Sequence, residues 1–431
     1  MYRHARDLPS PARLTAVRPP ALHPSLARAF AVLSASAARW CILRGWDRLD
    51  VPPDDVDLLV DSESLDRVTR ELEDLGYVRL PSWGRGRHRF FLTYDRDHDV
   101  WVKLDIVDRV AFGPGGVHET GLERVLLERR VSTGPVPHLA AADEFWALLL
   151  HCLLDRGTVE PVHADALARL ADDAGPHAPL ADWLVGVARD ERPAAILEAA
   201  GRRDVESLHA LGQRLRASIS PSIELAFRRW SRAAMRRMTK LRRALLERGL
   251  SIALLGVDGA GKSTVAAALA SRLPWEVRTV YLGLYGAGPG GAAPRGAMAR
   301  LGRLWAGYAR GVGHRTRGRM VIYDRFGWDA LLVSPTRRSR GARLRRWLLA
   351  HAVPPPDLVI LLDAPPDVAH ARKPEHDLEE LSRQRDQYLE LASKRPEIVI
   401  VRTDQDVNVV VRAITAAIWQ RARARRQRRR A

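Results

Sequence analysis

SIALLGVDGAGKSTVAAALASRL, residues 251–273, decides the reading of this chain. An apolar, β-rich run, SIALLG, leads into Gly256-x-x-x-x-Gly261-Lys262-Ser263, and an Ala/Leu-rich run, TVAAALASRL, leads out. Strand, glycine loop and helix start are the context in which this spacing closes backbone N–H groups around phosphate oxygens. The glycines permit the tight loop, and the helix N-terminus adds a positive dipole end. In that arrangement Lys262 reaches the β- and γ-phosphates, and the Ser263 hydroxyl joins the Mg²⁺ shell. Gly256, Asp258, Gly259, Ala260, Gly261, Lys262, Ser263 and Thr264 are the predicted nucleotide contacts. The loop predicts binding of ATP or GTP, with ATP and Mg²⁺ as cofactors.

Outward from the loop, SIALLG, VRTVYLG, RMVIYD, DLVILLD and EIVIVRT read as buried-type strands alternating with helices. That pattern predicts a doubly wound parallel α/β domain over residues 249–420. Residues 25–137 predict a small α+β domain. SLARAFAVLSASAARW reads as a helix, and CILRGW and DDVDLLVD as strands joined through a PPDD turn. SLDRVTRELEDLGY is an amphipathic helix ending at Gly76, and HRFFLTYD and VWVKLDIV are further strands. Residues 138–248 predict a helical region and a basic linker helix, with breaks at Gly157, Gly175-Pro176, Pro193 and Gly201. Residues 1–24 and 421–431 read as a disordered arm and a frayed basic tail. The stretch GLYGAGPGGAAPRGAMA predicts a mobile substrate loop. Its core, Gly286–Gly296, and a lid over Arg372–Leu381 are expected to be the least ordered parts of this half.

At 431 residues the chain is long enough for more than one domain. It holds 69 Lys+Arg against 51 Asp+Glu, a net charge of +18. Such charge can recruit nucleic acid, anionic lipid or acidic polymer. No nucleic-acid fold motif accompanies it, so nucleic acid is not the favoured partner. Only Lys103, Lys240, Lys262, Lys373 and Lys394 are lysines. Where Arg is the default cation, a Lys marks positions suited to a compact ammonium. Cys41 and Cys152 sit in apolar surroundings and read as buried free thiols of a reducing compartment. No apolar run approaches membrane-spanning length and no secretory signal is evident, so a cytoplasmic location is expected.

A second candidate site lies near the N-terminus. Strand alternation puts Asp55 and Asp57 on one face, about 7 Å apart. Asp105 sits on a later strand. Three such carboxylates can share one or two Mg²⁺ ions, as nucleotidyl transfer requires. Gly45 supplies a turn about ten residues before the pair.

Two resemblances follow from these motifs. GVDGAGKST, Asp324-Arg325 in RMVIYDRF, PPPDLVILLDAPPDVAHARK and RKPEHDLEELSRQRDQYLELA resemble, in order, the motifs of the thymidylate kinase family. The resemblance implies that Arg325 holds the acceptor's phosphate and Asp324 positions Mg²⁺ or the acceptor. It implies that Arg372, with Lys373 or Arg383, closes over the transferring phosphoryl group. Where the family carries an Arg-Glu-Pro-Gly-Gly-type loop, this chain has YLGLYGAGPGGAAPRG and no clear thymine-reading set. LRGW followed by DVDLLV, with helices behind, resembles the polymerase-β-like nucleotidyltransferases, although Trp46 stands where they carry a small residue. The implied function is phosphorylation of a nucleoside monophosphate or related small phosphorylated acceptor, coupled to a second, N-terminal nucleotidyl transfer. The alternatives are a nucleotidyltransferase gated by the ATP-binding domain, and a nucleotide-regulated binding module with degenerate sites.

Overall fold

The computed structural model describes residues 22–428 apart from 51–54, 81–87, 114–115, 133–135, 189–190, 219–229, 232–233, 236–248, 285–295 and 333–339. Residues 1–21 of the expected N-terminal arm, most of the PPDD turn, most of the basic linker and Gly286–Arg295 lie outside the described residues, and Pro24, expected in the arm, opens a helix instead. The chain divides into two compact units. One comprises Met1–Thr93 and Val102–Arg229, the other Tyr94–Trp101 and Trp230–Ala431.

In the first unit, apart from residues 94–95 and 100–101 at the ends of two of its strands, a mixed sheet takes the order β1-β2-β5-β4-β3. Its strands are β1 (Trp40–Ile42), β2 (Val56–Val60), β3 (Val78–Leu80), β4 (Arg89–Asp95) and β5 (Val100–Val107). β2 runs parallel to β5, with Asp57 opposite Asp105. The helix Leu65–Asp74 ends as expected near Gly76, which takes φ +104°. Sequence reading missed β3 and the small hairpin β6 (Ala111–Phe112) and β7 (His118–Glu119), which are too short to carry an alternation. Behind lie helices Ala141–Leu150, Pro161–Ala171, Pro179–Val187, Pro193–Gly201 and Val205–Ser218. One helix ends at Val187 and the next opens at Pro193, where its fixed φ and missing N–H cost nothing, so the expected break falls there. Phe145, Trp146, Leu149 and Cys152 are fully buried in this helical core.

The second unit holds β8 (Ser251–Leu255), β9 (Val277–Tyr281), β10 (Met320–Asp324), β11 (Leu358–Asp363) and β12 (Ile398–Arg402). Their order is β12-β11-β8-β10-β9, and every pairing is parallel. The glycine-loop strand β8 is therefore central. β8 and β11 are buried along their whole length, as expected. β9 and β12 are only partly buried, because edge strands leave alternate side chains to water. The carboxylate of Asp357 accepts from both the N–H and the Oγ of Ser251 at 2.9 Å, fixing β11 against β8. The last helix, Val407–Gln427, takes in residues 421–427, which were expected to fray. Arginine is a good helix former, and Arg425 lies 3.5 Å from the Asp357 carboxylate. Among the described residues no helix is long and apolar enough to cross a membrane.

Candidate functional site

The loop between β8 and the helix Lys262–Arg272 is shaped for phosphate. Gly259 has φ +85°, and a Cβ there would stand 2.1 Å from the carbonyl oxygen of Ala369. Gly261 has φ +89° with nothing within 4 Å of where a Cβ would be, so the helix N-terminus opens onto free space. Lys262 is buried, and its Nζ donates to the carbonyl oxygens of Gly256 (2.9 Å) and Val257 (2.8 Å). Ser263 and Thr264 are exposed on the first turn. These groups fit a triphosphate. Asp324 ends β10 beside β8, and its Oδ1 is buried without a hydrogen-bond partner. Such an oxygen fits a cation or an acceptor hydroxyl.

Arg325 follows directly. It is one of the few non-glycine residues at positive φ (+67°), held there by its N–H donating to Leu254 O at 3.1 Å. Its guanidinium donates to Asp258 of the glycine loop and stands 3.9 Å from the buried Asp329. Asp329 in turn accepts from the Tyr388 hydroxyl at 3.0 Å. Asp258 also faces Lys262 at 3.8 Å and His376 at 3.6 Å. Burial pushes Asp258 up, but the Arg325 and Lys262 charges outweigh it and hold the carboxyl below its usual range. Arg372 donates to the carbonyl oxygen of Thr403 at 2.8 Å, so in this structure it is engaged away from Asp258. Lys373 pairs with Glu375, and Arg383 with Glu380. Sequence reading missed Asp329, Tyr388 and His376. The available signals were a carboxylate four residues after Arg325 and a Tyr in the helix Leu378–Ser393.

Burial, then the neighbouring Arg325 charge, pulls Lys262 down to about 8 against the opposing pull of Asp258. The ammonium is therefore lost as pH rises through about 8. Nucleotide affinity should hold steady below that point and fall above it, approaching tenfold per pH unit because one proton must be taken up on binding. A fluorescent-nucleotide titration between about pH 7 and 10 reads this directly. A flat profile would separate Lys262 from phosphate binding.

In the first unit, Asp57 and Asp105 lie side by side on β2 and β5. Each predicted carboxylate carries its own cation. Arg44 Nη2 is 2.6 Å from Asp57, Lys103 Nζ is 2.5 Å from Asp55, and His88 Nδ1 is 2.9 Å from both oxygens of Asp105. Among the described residues no group of three or more His, Cys, Asp or Glu side chains is placed to hold a metal ion. The residues present therefore do not fit the shared Mg²⁺ site that the resemblance implies, because their oxygens already accept charge-assisted bonds. Burial raises Asp57, but Arg44 outweighs it and holds the carboxyl down. Burial raises Asp105, while on His88 burial is outweighed by the bond to Asp105 together with the charges of Asp105 and Asp57, which raise the imidazole too. Trp46 is locked in place. Its Nε1 and the Gly45 N–H both donate to Glu144, at 3.1 and 3.0 Å, and its ring stacks on His138 at 3.8 Å.

No curated protein matches the chain. Among solved structures, the thymidylate kinase from Candida albicans is similar over 41% of this chain and 93% of its own, at 19% identity and a TM-score of 0.33. The deoxyadenosine kinase from M. mycoides with bound dATP is similar over 39% of this chain and 99% of its own, at 16% identity and a TM-score of 0.31. Residues 308–414, which take in β10, Arg325, Asp329, Arg372 and Tyr388 but begin after the glycine loop, match the thymidylate kinase family model.

Proposed function

We propose that the second unit is an ATP-dependent kinase for a nucleoside monophosphate or a related small phosphorylated acceptor. One observation carries this reading. Lys262 of the loop and Arg325 of the neighbouring strand end both face the Asp258 carboxylate. Cations from a donor-phosphate loop and from an adjacent strand end converge where two phosphates are to be bridged. The match of residues 308–414 supports it. Bound ATP with Mg²⁺ would supply the phosphoryl group, and Ser263 and Asp324 are the residues that would hold the metal. Lys262 neutralises the donor's terminal phosphates. Arg325 offers a planar fork to the acceptor's phosphate once it leaves Asp258. Arg372 reaches the transferring group only after it gives up Thr403.

A panel of nucleoside and sugar monophosphates with ATP and Mg²⁺ identifies the acceptor. On that acceptor, Arg325→Ala should raise KM by about 10–100-fold through loss of a charge-assisted pair, with the KM for ATP little changed. An unaltered acceptor KM would take Arg325 out of this role, and turnover of no acceptor in the panel would count against the kinase. A second reading, a nucleotide-regulated binding module, is favoured by one observation on the first unit. Its carboxylates are internally ion-paired rather than grouped for metal catalysis.

A further inference from the structure

The face formed by β2 and β5 carries alternating charge. Asp55 and Asp57 stand two residues apart at the start of β2, and Lys103 and Asp105 two residues apart on β5, so strand alternation brings them to one surface. Arg44 enters from the end of β1, and His88 from the start of β4. Lys103 Nζ stands 5.1 Å above the Phe90 ring as well as 2.5 Å from Asp55, which fixes the ammonium over this face. Arg44 and Asp57 are each only about a fifth to a quarter exposed, and the side chain of Asp105 is 9% exposed. A divalent ion placed between Asp57 and Asp105 would have to displace a guanidinium from one and an imidazole from the other. Both are short, charge-assisted bonds in partly buried surroundings, where separating the two charges is costly.

We propose that this face works without a divalent metal, because Arg44, Lys103 and His88 hold the three carboxylates that a metal-dependent nucleotidyltransferase would lend to Mg²⁺. The inference deepens the binding-module reading of the first unit. Its readout does not depend on phosphotransfer, so its failure and that of the kinase reading are distinguishable.

The test is a Mn²⁺ titration of the full chain without nucleotide, followed by electron paramagnetic resonance of the free ion. Wild-type protein should leave Mn²⁺ free up to about millimolar concentration, the weak end of the range for oxygen-ligand sites. The double variant Arg44→Ala/Lys103→Ala should gain a site at least about tenfold tighter, because two carboxylates lose their counter-charges. Adding Asp105→Asn should remove that site. If the double variant does not fold, Arg44→Gln/Lys103→Gln, which removes both charges but keeps more of the side-chain volume, serves in its place. Stoichiometric Mn²⁺ binding by wild-type protein that disappears in Asp57→Asn or Asp105→Asn, but persists in Lys262→Ala, overturns the proposal. A folded cation-less variant that still ignores Mn²⁺ overturns it as well.

Discussion

Lys262→Ala should abolish phosphotransfer, lowering turnover by at least about 10²–10³-fold, the loss seen when a preorganised donor to transition-state charge is removed. The fold should survive. Burial already disfavours this ammonium, as its lowered proton affinity indicates, so removing it relieves desolvation. The lost bonds go to the loop carbonyls of Gly256 and Val257. Lys262→Arg should rescue poorly, since a planar guanidinium does not replace a compact ammonium at a buried site. Coupled ATP-consumption assays and the thermal unfolding transition together check this. Wild-type turnover in a folded Lys262→Ala protein would end the kinase assignment.

Gly259→Ala should be nearly as damaging by a different route. Its Cβ would enter the carbonyl oxygen of Ala369 at 2.1 Å, at a backbone conformation that L-residues rarely adopt. Neither partner is the far end of a flexible side chain, so backbone must move. A stability loss of about 1–3 kcal/mol is expected, together with at least about tenfold weaker nucleotide binding. Gly261→Ala is the informative comparison. It shares the positive φ but meets nothing within 4 Å. It should cost only the backbone strain of about 1–2 kcal/mol, yet still obstruct the phosphate cradle. Equal unfolding temperatures for the two variants would mean that the contact with Ala369 does not restrain the loop.

The sequence was most legible where one local pattern carries the physics. Strand, glycine loop and helix around Lys262 lie within one short segment, and the structure realises them as read. The five strands of the second unit could be named from their apolar runs, but not which two lie at the edges, because strand order is set by pairing and not by composition. Asp329 and Tyr388 were invisible for a related reason. They lie 59 residues apart and meet only through tertiary packing. In the first unit, the acids announced themselves as Asp55-x-Asp57, whereas Arg44 and His88, in a chain crowded with arginine, gave no sign of being their counter-charges.

The strand order also sets a timetable. β8 is synthesised first of the five and sits in the middle, so none of its sheet neighbours exists when it leaves the ribosome. Ser251, at its start, is tied to Asp357, 106 residues further on. At about 5–20 residues per second, that partner arrives roughly 5–20 s later. Until β10 emerges, about 70 residues after β8, a strand destined for burial along its whole length has neither sheet edge paired. Parallel pairing of this kind closes large loops and is intrinsically slow. The segment that carries the glycine loop is therefore exposed to aggregation in the nascent chain until β10 has docked beside it.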